Sequence, residues 1–116
     1  MKLGMTGNRN GISPKAINTL NVYINNNIKD IHEVHHGDCQ GSDEDFHNKM
    51  VKYEHVKIVV HPPDHNNYRA FCLGNEIRPE QSYIKRNHSI VNNTDTLIAF
   101  PPTKQELVRS GTWATI

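Results

Sequence analysis

The chain is predicted to fold as an α/β protein, a Rossmann-like three-layer sandwich around a mostly parallel, four-stranded sheet. Short apolar runs such as "VKIVV" and "TLIAF" alternate with segments of helical periodicity. Continuous apolar strands of this kind are typical of parallel sheets covered by helices on both faces. The length of 116 residues suits one domain with a single modest core. We therefore expect one domain over residues 1–116.

The first predicted strand–helix unit opens the chain. "KLGMTG" (Lys2 to Gly7) is a strand that ends in glycine. In the following segment Ser13 is placed to cap a helix, and Pro14 to occupy its first turn. Apolar residues at helical spacing then predict the buried face of this helix: Ile17, Leu20, Ile24 and Ile28.

The second unit begins with "IHEVHHG" (Ile31 to Gly37), a weakly apolar strand. Ser42 and Asp45 fit a Ser-x-x-Asp capping box, which predicts that a helix begins there. Phe46 and Met50 share one face of that helix.

"VKIVV" (Val56 to Val60) is the strongest strand prediction because it is rich in β-branched residues. An irregular stretch with two adjacent prolines follows. A third helix is expected from Glu80 to Val91, with Ile84, His88 and Val91 on one side. "DTLIAF" is the fourth strand, and "PPTKQELVRS" is expected to be a turn before a helix that starts near Gly111.

Charge and composition argue against two function classes. The formal net charge is +1, from 13 basic and 12 acidic residues, which gives no general electrostatic case for binding nucleic acid or an anionic membrane. No apolar run approaches the roughly 20 residues that span a bilayer. Two cysteines, Cys39 and Cys72, without a CxxC pair or a signal peptide favour a reduced, soluble, cytoplasmic protein.

The chemistry is expected where the predicted strands end. In an open parallel sheet, ligands bind beyond the carboxyl ends of the strands, near helix N-termini. Loops of small and polar residues follow all four strands, although glycine, asparagine and aspartate also serve simple turns. We expect an anion-binding site formed by residues from these loops and the third helix: Thr6, Gly7, Arg9, Gly37, Asp38, Gly41, Ser42, Asp43, Arg69, Arg86, Ser110, Gly111 and Thr112.

Several of these residues also have a purely structural interpretation. Asp38 or Asp43 would accept from ribose hydroxyls or from a base edge, but Asp43 also complements a helix dipole. Arg69 would contact the ligand or be solvated, and Arg86 would reach a phosphate or lie on an exposed helix face. Ser110, with Gly111 and Thr112, would hold a phosphate at a helix N-terminus.

Metal and covalent chemistry are not predicted. The eight histidines include the pair His35–His36, but neighbouring strand residues point to opposite faces. Neither an HExxH motif nor paired CxxC motifs are present. Cys39 with a nearby histidine does not define a nucleophilic triad. We predict no metal and no cofactor.

Five segments in a fixed order carry a resemblance to the SLOG superfamily, which includes the LOG phosphoribohydrolases, DprA and the YpsA-like proteins. They are "GMTGNRNG", "VHHGDCQGSD", "HPP…YRA", "YIKRNHSIVNNTDTLIAFPP" and "RSGTWATI". The chain is most similar to the small YpsA-related branch. The resemblance implies a Rossmann-like domain that binds a nucleotide or an ADP-ribose-like derivative through the first two loops, Arg86 and Ser110 to Thr112.

The resemblance also bears on catalysis. In LOG enzymes an arginine matching Arg86 and a glutamate catalyse N-glycosidic cleavage. In this chain, Thr115 occupies the position of that glutamate. A threonine hydroxyl cannot act as the carboxylate, so we expect a sensor or sequestering protein. The alternative is a nucleoside-monophosphate phosphoribohydrolase in which Asp38, Asp43 or Glu106 substitutes.

Relatives of this kind dimerise through helices. We expect a homodimer or higher homo-oligomer in which the partner covers Trp113 and Ile116 on the last, short helix.

Overall fold

The computed structural model describes residues 1–7 and 11–100, and the backbone of residues 107–110. Within these residues, three helices of nine to 14 residues lie between strands: α1 (Pro14–Asn27), α2 (Ser42–Met50) and α3 (Tyr83–Asn92). The strands are β1 (Lys2–Thr6), β2 (Glu33–His36), β3 (Lys57–Val60), β4 (Glu76–Ile77), β5 (Thr96–Ala99) and β6 (Leu107–Ser110).

One sheet holds all six strands in the order β4-β3-β2-β1-β5-β6. The pairings from β4 to β5 are parallel, and β6 pairs antiparallel with β5. The predicted Rossmann-like α/β fold is therefore confirmed, but the predicted strand count of four is wrong. β4 was missed because it has only two residues, too few for a periodic pattern. β6 falls entirely within the segment 101–110, which was predicted as a turn because that segment contains two prolines and several polar residues.

The main core lies between the sheet and helices α1 and α2. Ser13 caps α1 by accepting a 3.1 Å hydrogen bond from the Ala16 N–H, as predicted. Leu20 and Ile24 from the predicted stripe are 1% exposed, and they pack with Phe46 and Met50 of α2 against the inner strands. The helical periodicity thus predicted the buried faces of α1 and α2 correctly.

The third helix differs from its prediction. Ile84 is 73% exposed, whereas Arg86 and Ile90 are 6% and 1% exposed. The side that carries Ile84, His88 and Val91 is therefore not the buried side, because the helix turns Arg86 and Ile90 inward. Burying an arginine there requires polar partners, and the loop after β2 supplies them.

Gly7 sets the distance between the end of β1 and helix α2. A Cβ added at Gly7 would lie 2.7 Å from the Ser42 Oγ. We expect Gly7→Ala to lower the free energy of unfolding by about 1–3 kcal/mol through overpacking, as measured by urea denaturation. Ser42→Gly, combined with Gly7→Ala, should recover part of this loss. If the double variant is no more stable than Gly7→Ala alone, this contact is not the cause.

Candidate functional site

Two loops of the predicted site meet at the carboxyl edge of the sheet. β1 and β2 are parallel neighbours with Gly4 opposite His35, so the residues after each strand emerge side by side. Gly7 follows β1, and the segment Gly37–Ser42 follows β2 and leads into α2. The contact between Gly7 and Ser42 joins the two loops. The sequence predicted this convergence correctly for these residues.

The Gly37–Ser42 loop has a backbone that favours small residues. Gly41 has φ 95°, a conformation that glycine adopts readily, and it is the N-cap of α2. No side chain makes a capping hydrogen bond there. The predicted capping box at Ser42 is therefore wrong: Ser42 lies inside the helix, against Gly7.

A second segment, residues 68–72, holds this loop in place. The Gln40 N–H donates to the Tyr68 carbonyl at 2.7 Å, and the Ala70 N–H donates to the Asp38 carbonyl at 2.8 Å. Asp38 itself has φ 57°, which is uncommon for a residue with a side chain. These contacts keep the loop in a conformation that it would not favour alone.

Asp38 and Arg69 satisfy each other. The Asp38 carboxylate is fully buried and accepts from the Arg69 Nε at 2.8 Å and from the Cys72 N–H at 2.7 Å. Arg69 also donates to Glu80 at 2.9 Å. Both side chains were predicted to contact a ligand. Their contacts favour a structural role, since each oxygen of Asp38 already has a donor.

Arg86 of helix α3 reaches the residue that follows β2. Its Nη1 donates to the Gly37 carbonyl and lies 3.6 Å from the Cys39 sulfur. Its Nε donates to the Asn87 side chain at 2.8 Å. The Nη2 has no hydrogen-bond partner among residues 1–7 and 11–100. Arg86 is therefore held by its other nitrogens with one donor group still open.

Asp43 also lies beside Gly37, in the first turn of α2. It is 7% exposed, and its Oδ2 accepts from the Cys39 N–H at 3.2 Å. Its Oδ1 is buried and has no hydrogen-bond partner in the described part of the chain. Burial raises the pKa of the Asp43 carboxyl to about 6, although nearby Arg86 lowers it. Buried polar atoms are rarely left unpaired in native proteins.

Gly37 brings these two side chains together. A methyl group at this position would overlap the Arg86 guanidinium and would lie 3.0 Å from the Asp43 Oδ2. The two side chains do not form an ion pair within 4.0 Å in the described residues. Two side chains that each keep an open polar atom, a donor on Arg86 and an acceptor on Asp43, thus lie beside one glycine.

The remaining predicted residues have different outcomes. Thr6 ends β1 and is partly buried. Ser110 pairs with Thr96, the first residue of β5, because β6 runs antiparallel. Ser110 therefore lies at the amino-terminal edge of the parallel strands, and its predicted place beside Gly7 is wrong. Arg9, Gly111, Thr112, Glu106 and Thr115 lie outside the described residues.

Two buried histidine pairs were not predicted. On one face of β2, the His35 Nδ1 lies 2.7 Å from the His61 Nε2, and the His35 Nε2 lies 2.6 Å from Glu33. On the other face, the His36 Nε2 lies 2.9 Å from the His47 Nδ1. The strand alternation did predict that His35 and His36 face opposite sides, but not which residues they meet.

One of these pairs has the residue types of a metal site. His36, His47 and Cys72 place ligand atoms within 4.8 Å of one another. However, the Asp38 N–H donates to the His36 Nδ1 at 3.0 Å, which leaves the hydrogen of the neutral imidazole on Nε2. A metal bound to Nε2 would need the opposite tautomer. The cluster therefore fits a hydrogen-bonded group better than a metal site.

Cys39 does not have the surroundings of a nucleophile. Burial raises the pKa of the Cys39 thiol, and the hydrogen bond from Arg86, which lowers this pKa, only partly offsets the effect. Burial likewise raises the pKa of Cys72 to about 12. Reactive cysteines have a lowered pKa, so neither thiol is activated.

Comparison of the chain with known protein families, characterised proteins and solved structures finds no match. The resemblance to the SLOG superfamily therefore stays a prediction. Among the described residues, no helix combines the length and apolar character needed to cross a bilayer.

Proposed function

We propose that this protein binds a nucleotide-derived small molecule, of the nucleotide or ADP-ribose class, at the carboxyl edge of the sheet. It would act as a sensor or sequestering protein rather than as a LOG-type hydrolase. One observation carries the proposal: Arg86 and Asp43 both lie against Gly37, through Nη1 and Oδ2, and each keeps a further polar atom, Nη2 and Oδ1, without a partner among the described residues. A nucleotide offers an anion for the first group and hydroxyls for the second.

Arg86 suits the anionic part of such a ligand. Arginine is always charged and its guanidinium is planar, which favours phosphate recognition. Its guanidinium group is already held by Gly37, by Asn87 and by the ring of Tyr83, whose centroid lies 5.2 Å from the Arg86 Cζ. A preorganised side chain loses little conformational entropy on binding. This supports a specific contact rather than a diffuse electrostatic one.

A panel of nucleotides, ADP-ribose and cyclic derivatives, screened by thermal shift, tests the proposal. A ligand at 100 times its dissociation constant should stabilise the folded protein by about 2.7 kcal/mol. Arg86→Gln should abolish this shift and Arg86→Lys should reduce it, with folding of each variant checked by circular dichroism. Lys85→Gln, at the exposed neighbour, is the matched control and should keep it. The absence of any shift in folded wild-type protein contradicts the proposal.

A phosphoribohydrolase is the second candidate function, and Asp43 is the observation that favours it. Its carboxyl pKa of about 6 is suited to acid–base work near neutral pH. Asp38 is less suited because both its oxygens already accept hydrogen bonds. Release of free base from AMP that is lost in Asp43→Asn and in Arg86→Ala would support the enzyme. No release by folded wild-type protein would contradict it.

Homodimer formation and a cytoplasmic location remain part of the proposal. Two free cysteines fit a reducing compartment. Sedimentation analysis should give twice the monomer mass of 13.3 kDa, and a monomer at all concentrations would contradict the dimer.

A further inference from the structure

We infer that the Oδ1 of Asp43 accepts a hydrogen bond from a ribose hydroxyl of the ligand, and that the phosphate binds away from it. This inference rests on the proposed function. It adds which part of the ligand meets Asp43, and it predicts selectivity for ribonucleotides.

The first step is the state of Asp43 without a ligand. Its Oδ2 is occupied by the Cys39 N–H, while its Oδ1 is buried and unpartnered in the described residues. An acceptor that is removed from water without a donor destabilises the folded protein. A bound group that donates a hydrogen bond to Oδ1 would remove that cost. This hydrogen bond would therefore stabilise the complex.

The second step is the charge of that donor. A phosphate beside Asp43 would be repelled by the carboxylate. An ammonium or guanidinium group would be repelled by Arg86, which lies close enough to lower the pKa of Asp43. A neutral donor satisfies both neighbours. In a nucleotide, the ribose hydroxyls are neutral donors that lie within a few bonds of a phosphate.

The third step is geometry. A Cβ added at Gly37 would overlap the Arg86 Nη1 and would lie 3.0 Å from the Asp43 Oδ2, so the two side chains lie near each other. A ligand that contacts both therefore needs its donor and its anion close together. Ribose 5′-phosphates meet this condition, and a base alone does not.

The test compares AMP with 2′-deoxy-AMP and 3′-deoxy-AMP by calorimetry at pH 8, where Asp43 is ionised. Loss of a hydrogen bond to a charged group weakens binding by roughly tenfold to 100-fold, so at least one deoxy analogue should bind that much more weakly. In Asp43→Asn this preference should fall by about tenfold because the charge is gone. Glu44→Gln, in the same helical turn, is the matched control and should keep the preference.

The outcomes separate the two proposals. Equal binding of AMP and both deoxy analogues overturns the ribose contact but leaves nucleotide binding standing. An unchanged preference in folded Asp43→Asn also overturns it. If AMP and the wider nucleotide panel all fail to bind folded wild-type protein, the proposed function fails and this inference fails with it.

Discussion

Replacing Arg69 with methionine is expected to lower the free energy of unfolding by about 3 kcal/mol, because it leaves the Asp38 carboxylate buried without its ionic partner. Asp38 is fully buried, and its Oδ2 lies 2.8 Å from the Arg69 Nε. Methionine keeps much of the aliphatic packing of Arg69, so the loss reports on the charge. Urea denaturation measures it.

The contacts of Arg69 offer a matched control. Glu80 also pairs with Arg69 but its side chain is 51% exposed, and exposed ion pairs contribute at most about 1 kcal/mol. Glu80→Gln should therefore be nearly neutral. Combining Arg69→Met with Asp38→Asn should restore stability, because no unpaired charge remains. Equal losses in Arg69→Met and Glu80→Gln would show that the buried pair has no special importance.

Acidification from pH 7 to pH 4 is expected to lower the free energy of unfolding by roughly 3 to 4 kcal/mol. Burial lowers the pKa of His36 to about 3 and that of His61 to about 4, from 6.5. The unfolded chain therefore takes up these protons near pH 6.5, and the folded protein only at lower pH. Their stabilisation is fully present above pH 6.5 and is lost as the pH falls.

Asp43 changes the free energy of unfolding with pH in the opposite direction to the histidines. Because burial raises the pKa of Asp43 to about 6 from 3.8, the folded protein binds this proton more readily than the unfolded chain. Asp43 therefore adds stability as the pH falls through 6, which partly offsets the effect of the histidines. The expected loss of roughly 3 to 4 kcal/mol between pH 7 and pH 4 is the net result of the histidines and Asp43.

Denaturation at a series of pH values measures these effects, and single variants assign them. His61→Gln should make stability less dependent on pH between 6.5 and 4, by up to about 1.4 kcal/mol per pH unit. His88, which is exposed on α3, provides the control: His88→Gln should leave the dependence unchanged. Stability that stays constant from pH 7 to pH 4 would contradict the burial of neutral imidazoles.

The sequence by itself determined the α/β fold and the location of the carboxyl-edge loops. Strand and helix periodicity, together with Ser13 at the start of α1, depend on neighbours within a few residues, and these patterns are readable from the sequence. Gly7 and Gly37 were predicted site residues for the same reason, because each follows a recognisable strand.

Only the tertiary structure decided which partners the polar side chains bind. The partners of Asp38, Arg86 and His35 are 31, 49 and 26 residues away in the chain, so no local pattern reveals them. Asp38 and Asp43 look alike in the sequence, yet long-range contacts satisfy the first and leave the second with an open oxygen. Ser110 was misplaced for a similar reason, since the direction of an edge strand depends on how the chain returns to the sheet.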